Sequence, residues 1–321
     1  MKHFIRMLFP VLAAVAVLAG TLVSAESIKN VDIRPAVMER AEQFEITSKF
    51  ANQDYDIKVV LPPSYALTDK KYRVVYVLDS FLSFGAVHGM DLVNMGLTIE
   101  NIYVAIGYVR SNETAINRNH DMSPKGSQAQ EFLDQMNSSS TLWHKQTDNT
   151  SGEAIIKASL STKKKYTQGG ADDFLAFIEK ELDPVIRKHY RTNDGKAGLM
   201  GASMGGLFTY YAFLKQSPLF DRFFIGSPGL QLPNSKLLDG LPELLRSTDF
   251  KDQRIFLSAG SEELINPFFE TLAMNFLKMA QIFSQNPADG LSFEYRVYSG
   301  KTHTTVGPIA RQEAAEFLFK P

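Results

Sequence analysis

The sequence predicts an α/β fold, with a mostly parallel, doubly wound sheet, helices on both faces and one lid-like insertion. Three observations predict it. Short β-branched runs alternate with runs of helical length from residue 72 to residue 319, the pattern of strands joined by crossover helices. Two of those runs, Tyr72-Arg73-Val74-Val75-Tyr76-Val77-Leu78-Asp79 and Asn101-Ile102-Tyr103-Val104-Ala105-Ile106-Gly107, are apolar nearly throughout, as parallel strands covered on both faces are. Finally, Gly201-Ala202-Ser203-Met204-Gly205-Gly206 reads G-x-S-x-G. It lies between a short apolar run, 196–200, and an apolar run of helical length, 207–214, which suits a sharp strand-to-helix turn.

The chain begins with a stretch that reads as a secretory signal peptide, residues 1–25. Lys2 and Arg6 supply a positive start, 7–23 is apolar except at Pro10, Gly20 and Thr21, and Val23-Ser24-Ala25 is a small-residue cleavage site. The alternative is an uncleaved anchor, but the apolar run is shorter than the roughly 20 residues that a spanning helix needs. The expectation is therefore export, to a periplasm or out of the cell, with cleavage after Ala25 and no stable membrane insertion afterwards. Cysteine is absent, which excludes disulfides and lipid attachment at an N-terminal cysteine. The charges balance, 34 Lys and Arg against 35 Asp and Glu, with no long block of one sign, which argues against a nucleic-acid partner. Residues 26–321 read as a single domain without internal repeats.

In order, 42–50 and 55–61 read as an antiparallel strand pair joined by Ala51-Asn52-Gln53-Asp54 and stopped by Pro62-Pro63. A short helix is expected over 90–97, between the two apolar strands. Residues 111–170 are polar, rich in Ser, Thr and Asn and poor in periodicity, which reads as a lid or binding loop or else a surface insertion. Its clearest pieces are Arg118-Asn119-His120-Asp121-Met122-Ser123-Pro124, a helix around 128–136, and Trp143 with His144. The clearest helix is 170–190, where Phe174, Leu175, Ile178, Leu182, Val185 and Ile186 share one face. After the serine turn come a strand over 220–225 ending at Gly226-Ser227-Pro228, a helix over 237–245 and a strand over 254–260. A helix over 267–283, a strand over 291–298 and a closing helix over 306–319 complete the chain.

A serine hydroxyl is a weak nucleophile at neutral pH and needs a base, which needs an orienting acid. Behind a G-x-S-x-G turn the chain order is serine, acid, histidine. Past Ser203 the sequence holds one histidine, His303, in the loop after the last strand. His3 lies in the leader, His88, His120 and His144 precede the serine, and His189 lies in the helix before the serine strand. The acid is expected in Gly260-Ser261-Glu262-Glu263, where either glutamate could accept a bond from the imidazole. The oxyanion needs two main-chain donors, Met204 and, from the loop after the first apolar strand, Ser80 or Phe81. Asp79 at a strand end reads as structural. The run from Arg118 to Asp121 reads either as a local ion pair or as a contact for a substrate carboxylate.

Several stretches stand in a familiar order. They are Tyr76-Val77-Leu78-Asp79, Ile106-Gly107-Tyr108, Arg118-x-x-Asp121-Met122-Ser123-Pro124, Phe174-Leu175-Ala176-Phe177-Ile178, Gly201-Ala202-Ser203-Met204-Gly205-Gly206-Leu207 and Gly226-Ser227-Pro228. With them the chain resembles the putative-esterase group of α/β hydrolases, nearest the branch of ferric-siderophore trilactone esterases. The S-formylglutathione hydrolases, feruloyl esterases and mycolyltransferases are more distant members. The resemblance spans most of residues 43–320. It implies an α/β-hydrolase fold and hydrolysis of a small-molecule ester or thioester through an acyl-enzyme on Ser203, with His303 as general base and no metal or organic cofactor. It places the acid three residues after the strand-end glycine, at Glu263, with Glu262 second. An acyltransferase, or a non-catalytic binding protein on the same scaffold, is the alternative. Two stretches depart from the group: Gly229-Leu230-Gln231-Leu232-Pro233 replaces a tryptophan-containing stretch, and 111–170 is longer. Both lie where a substrate would sit.

Overall fold

Apolar alternation brings eight strands into one sheet. Ala41–Ser48 (β1) and Gln53–Val60 (β2) form an antiparallel hairpin, and β2 pairs antiparallel with Asn101–Tyr108 (β4). Arg73–Leu78 (β3), Ala197–Ala202 (β5), Phe220–Gly226 (β6), Gln253–Gly260 (β7) and Leu291–Tyr298 (β8) continue the sheet in parallel. The order is β1-β2-β4-β3-β5-β6-β7-β8. The computed structural model describes residues 37–109, 111–138 and 162–321, and Arg40–Pro321 forms one folded unit. The leader reading, Trp143 and His144 lie outside the described residues.

The strand periodicity divides the core. Val74, Tyr76 and Leu78 face one apolar layer together with Ile102, Val104 and Ile106, whereas Val75, Val77 and Tyr103 face the other. The second layer is closed by Ser80–His88 (α1), Met90–Val93 (α2) and, at the end of the chain, a helix over Gly307–Leu318. The sequence led to the expectation of one helix over 90–97; α2 stops at Val93 and α1 precedes it. The first hairpin also turns earlier than expected. Ser48 pairs with Gln53, and Asn52 takes the left-handed φ of 49° that asparagine tolerates.

The described part of 111–170 is more ordered than its composition suggested. Thr114–Met122 (α3) and Gln130–Ser138 (α4) are helices, and α3 packs on two core helices. Polar side chains tie it down alongside the buried Ile116 and Met122. Asn119 and Gln128 exchange amide bonds of 2.9 Å, and Asn119 also donates to the Thr167 carbonyl at 2.8 Å. The helix expected over 170–190 is interrupted. Ala171–Phe177 (α5) and Asp183–His189 (α6) flank a π-helical turn, Ile178–Leu182. Pro184 has no N–H to return to the preceding turn, and a widened turn absorbs that loss. Met204–Leu214 (α7), Leu241–Ser247 (α8), Glu270–Gln285 (α9) and the Gly307–Leu318 helix (α10) complete the set named here. Among the described residues no helix is long and apolar enough to cross a membrane.

Candidate active site

The parallel strands β3, β5, β6, β7 and β8 all end at one edge of the sheet, and the turn after each carries a residue of interest. Ser203 joins β5 to α7 with φ 59° and ψ −122°, a sparsely populated conformation for a side chain with a Cβ. Its N–H donates to the Gly226 carbonyl at 2.8 Å, and its carbonyl accepts from Leu207 and Gly229, each at 2.9 Å. A Cβ at position 201 would lie 2.2 Å from the Gly205 carbonyl oxygen, so only glycine allows strand and helix this close. Met204 opens α7, so its N–H has no acceptor within the helix and points from the positive end of the helix dipole.

Glu263 lies in the single turn Ser261–Leu264 that follows β7. One of its oxygens reaches back to the Gly260 N–H at 2.9 Å and accepts the Ser227 hydroxyl at 2.7 Å. The other lies 3.0 Å from His303 Nδ1. Glu263 is only 1% exposed. Burial pushes its carboxyl up, yet the His303 imidazole, the Gly260 N–H and the Ser227 hydroxyl outweigh burial and hold it below its ordinary value. In neutral His303 this contact puts the proton on Nδ1 and leaves Nε2 as an acceptor. The imidazole stacks on Phe269 with ring centroids 4.1 Å apart and 13° between the planes. The side chain of Glu262 instead takes a bond from the Ser261 hydroxyl at 3.2 Å, and its N–H donates to Lys301. The loop carrying His303 rests on the β7 turn, because a Cβ on Gly260 would meet the Lys301 carbonyl oxygen at 2.2 Å.

Across β5, Asp79 precedes α1 with a left-handed φ of 61°. Ser80 and Phe81 open the helix, so their N–H groups lack intrahelical acceptors, and the Phe81 side chain is 58% exposed. Arg118 from α3 donates through Nε to Asp79 Oδ1 at 2.6 Å and through Nη2 to Asp79 Oδ2 at 2.9 Å and the Ala202 carbonyl at 3.1 Å. Burial works against the Arg118 charge, and Asp79 more than offsets it. The structure thus separates two residues that the sequence grouped. Arg118 pairs with Asp79, while Asp121 accepts the Tyr55 hydroxyl at 2.7 Å and is pushed up to about 7, chiefly by burial. Ser227, Phe269 and the Arg118–Asp79 pair escaped the sequence reading, although Ser227 and Arg118 both stand in its quoted stretches. Among the described residues no group of three or more His, Cys, Asp and Glu could hold a metal ion.

Comparison with known proteins places this geometry in context. Residues 48–305 match the family described as "Putative esterase". The ferri-bacillibactin esterase BesA of Bacillus subtilis is 23% identical over 282 residues, which cover 86% of this chain and 88% of that protein. The BES protein from Bacillus cereus superposes with a TM-score of 0.69 at 24% identity, over 91% of this chain and all (100%) of that one. An IroE-like serine hydrolase from Shewanella oneidensis superposes with a TM-score of 0.66 at 25% identity, over 87% and 80% of the two chains.

Proposed function

We propose, from the premise that the chain belongs to the "Putative esterase" family and is a carboxylic ester hydrolase of the α/β-hydrolase fold, that it works through an acyl-enzyme on Ser203. The observation that carries this reading is the bond between His303 Nδ1 and a Glu263 carboxylate whose second oxygen is already held by Ser227 and Gly260. An imidazole so oriented presents Nε2 as a base. Ser203 Oγ attacks the ester carbonyl while its proton passes to His303. Glu263 stabilises the imidazolium that results. The tetrahedral oxyanion is met by the N–H of Met204 and by that of Ser80 or Phe81. Collapse expels the alcohol, which takes the proton from His303, and water then repeats the sequence to release the acid. No cofactor enters these steps.

The substrate in this reading is a small-molecule ester, and the names of the relatives put siderophore esters first among those to test. The signal-like residues 1–25 support export. Arg40–Pro321 is the domain that carries this chemistry, and the insertion expected over 111–170 selects the substrate in this reading.

The deciding measurement is kcat/KM on one good model ester for wild type, Ser203→Ala, His303→Ala and the double variant, with circular dichroism as the folding control. Each single variant should lose nearly all activity, about 10⁶-fold in well-studied serine hydrolases, and the double should be hardly worse than either. A folded Ser203→Ala protein that keeps more than about a tenth of the activity overturns the mechanism, because so large an expected loss leaves no room for it.

A further inference from the structure

The two oxyanion donors in the proposed mechanism come from separate turns, one after β3 and one after β5. Their spacing must be held to a fraction of an ångström for both to reach one oxygen. Asp79 is fixed at both ends. Its carbonyl accepts the N–H groups of Leu82 and Ser83 at 2.8 and 2.9 Å, which seats it at the start of α1. Its carboxylate is gripped by the fork of Arg118 and lies against the second turn, with Oδ2 3.2 Å from where a Cβ on Gly205 would stand. The same guanidinium holds the carbonyl of Ala202, the residue just before Ser203. One rigid, planar group therefore bonds to both turns at once. Arg118 itself is anchored by α3, which packs on α5 and α7.

We propose that Arg118 is a positioning residue that sets the distance between the two oxyanion donors, acting through Asp79 and Ala202 and not on the substrate. The proposal rests on the reading of Ser203 as nucleophile. The fork matters more than the charge. Arg311, buried on α10, also lies in the field of Asp79, although burial pulls its own pKa down. Lysine at 118 would restore the charge but not two parallel bonds to the carboxylate plus a third to a carbonyl.

The test uses the full chain carrying Arg118→Met, Arg118→Lys, Asp79→Asn and the Asp79→Asn/Arg118→Met pair, with Ser203→Ala alongside. Fluorophosphonate titration counts competent sites, so kcat is expressed per site and misfolded protein is removed from the comparison. Per site, kcat on a neutral ester should fall about 10²–10³-fold in Arg118→Met, the range for losing one oxyanion donor, with KM nearly unchanged. The inhibition constant of an aryl boronic acid, which forms a tetrahedral adduct on serine, should weaken in parallel. Arg118→Lys should recover little, Asp79→Asn should resemble Arg118→Met, and the double should be no worse than either single. If Arg118→Met does not fold, Arg118→Lys and Asp79→Asn carry the same readouts. A raised KM at unchanged kcat, full recovery by lysine, or a per-site kcat near wild type overturns the proposal. Activity surviving in Ser203→Ala would instead overturn the mechanism beneath it.

Discussion

Glu262 and Glu263 are neighbours with the same chemistry, and the backbone alone separates them. The turn after β7 directs Glu263 inward, where both its oxygens are engaged, and leaves Glu262 with the hydroxyl of its own neighbour. Glu263→Gln should therefore lower kcat by up to about 10⁴-fold, the known cost of losing a triad acid, while Glu262→Gln should change it little. The reverse ranking in ester kinetics would move the role to Glu262. A pH dependence follows as well. The folded carboxyl of Glu263 sits below its ordinary 4.5, so it stabilises the fold above that pH and loses its contribution as pH falls through the lower, folded value. The gap in melting temperature between wild type and Glu263→Gln should thus narrow as the solution is acidified below about 4.5, and a widening gap would contradict it. Ser203 and His303 were legible as candidates because the sequence holds one G-x-S-x-G turn and one histidine beyond it. Arg118 was not legible in its contacts, since its partners lie 39 and 84 residues away and only the sheet brings them together.

The elements show where periodicity carries information and where it does not. Strands β3 to β7 announced themselves as short, mostly apolar runs, β8 by alternation, and α9 and α10 by spacing of three and four. The helix α1 did not, because Phe81 and Leu82 on its outer face are as apolar as Val87 on its inner one. The helix α3 was hidden because Asn117, Asn119 and Asp121 are buried beside only two buried apolar residues, Ile116 and Met122, so no apolar stripe marks its inner face. The interruption between α5 and α6 had a visible cause in Pro184, but the apolar face runs on across it. One contact between elements is open to direct test. Gly260 lets the loop before α10 lie against the end of β7, and a methyl group there would strike main-chain atoms of Lys301 at 2.2 and 2.8 Å. Since main chain cannot rotate aside, Gly260→Ala should push His303 off Glu263. A shift near 1 Å at a reacting group costs about 10²-fold in rate, and kcat should drop by that order. Unchanged kinetics would mean that the two loops yield without parting.

Two apolar layers on the faces of one sheet hold the folded unit together without disulfides, since the chain has no cysteine. The folded unit begins at Arg40, after the expected cleavage site. Protein recovered from the exported fraction should begin at Glu26 by N-terminal sequencing and should melt and hydrolyse esters like a chain expressed from that residue. Intact Met1 on exported protein would contradict the cleavage. The sheet order has one more consequence, and it concerns time. Synthesis runs from the N-terminus, so Ser203 is made about 100 residues before His303, on a strand at the middle of the sheet, while His303 follows the strand at its far edge. Pairing of β8 with β7 is a late event for a chain that is still emerging. Until it happens His303 has not been brought to the sheet edge where the serine turn lies. Under the proposed mechanism a chain still emerging is therefore inert toward esters, and cleavage begins only when the last strand has been laid down.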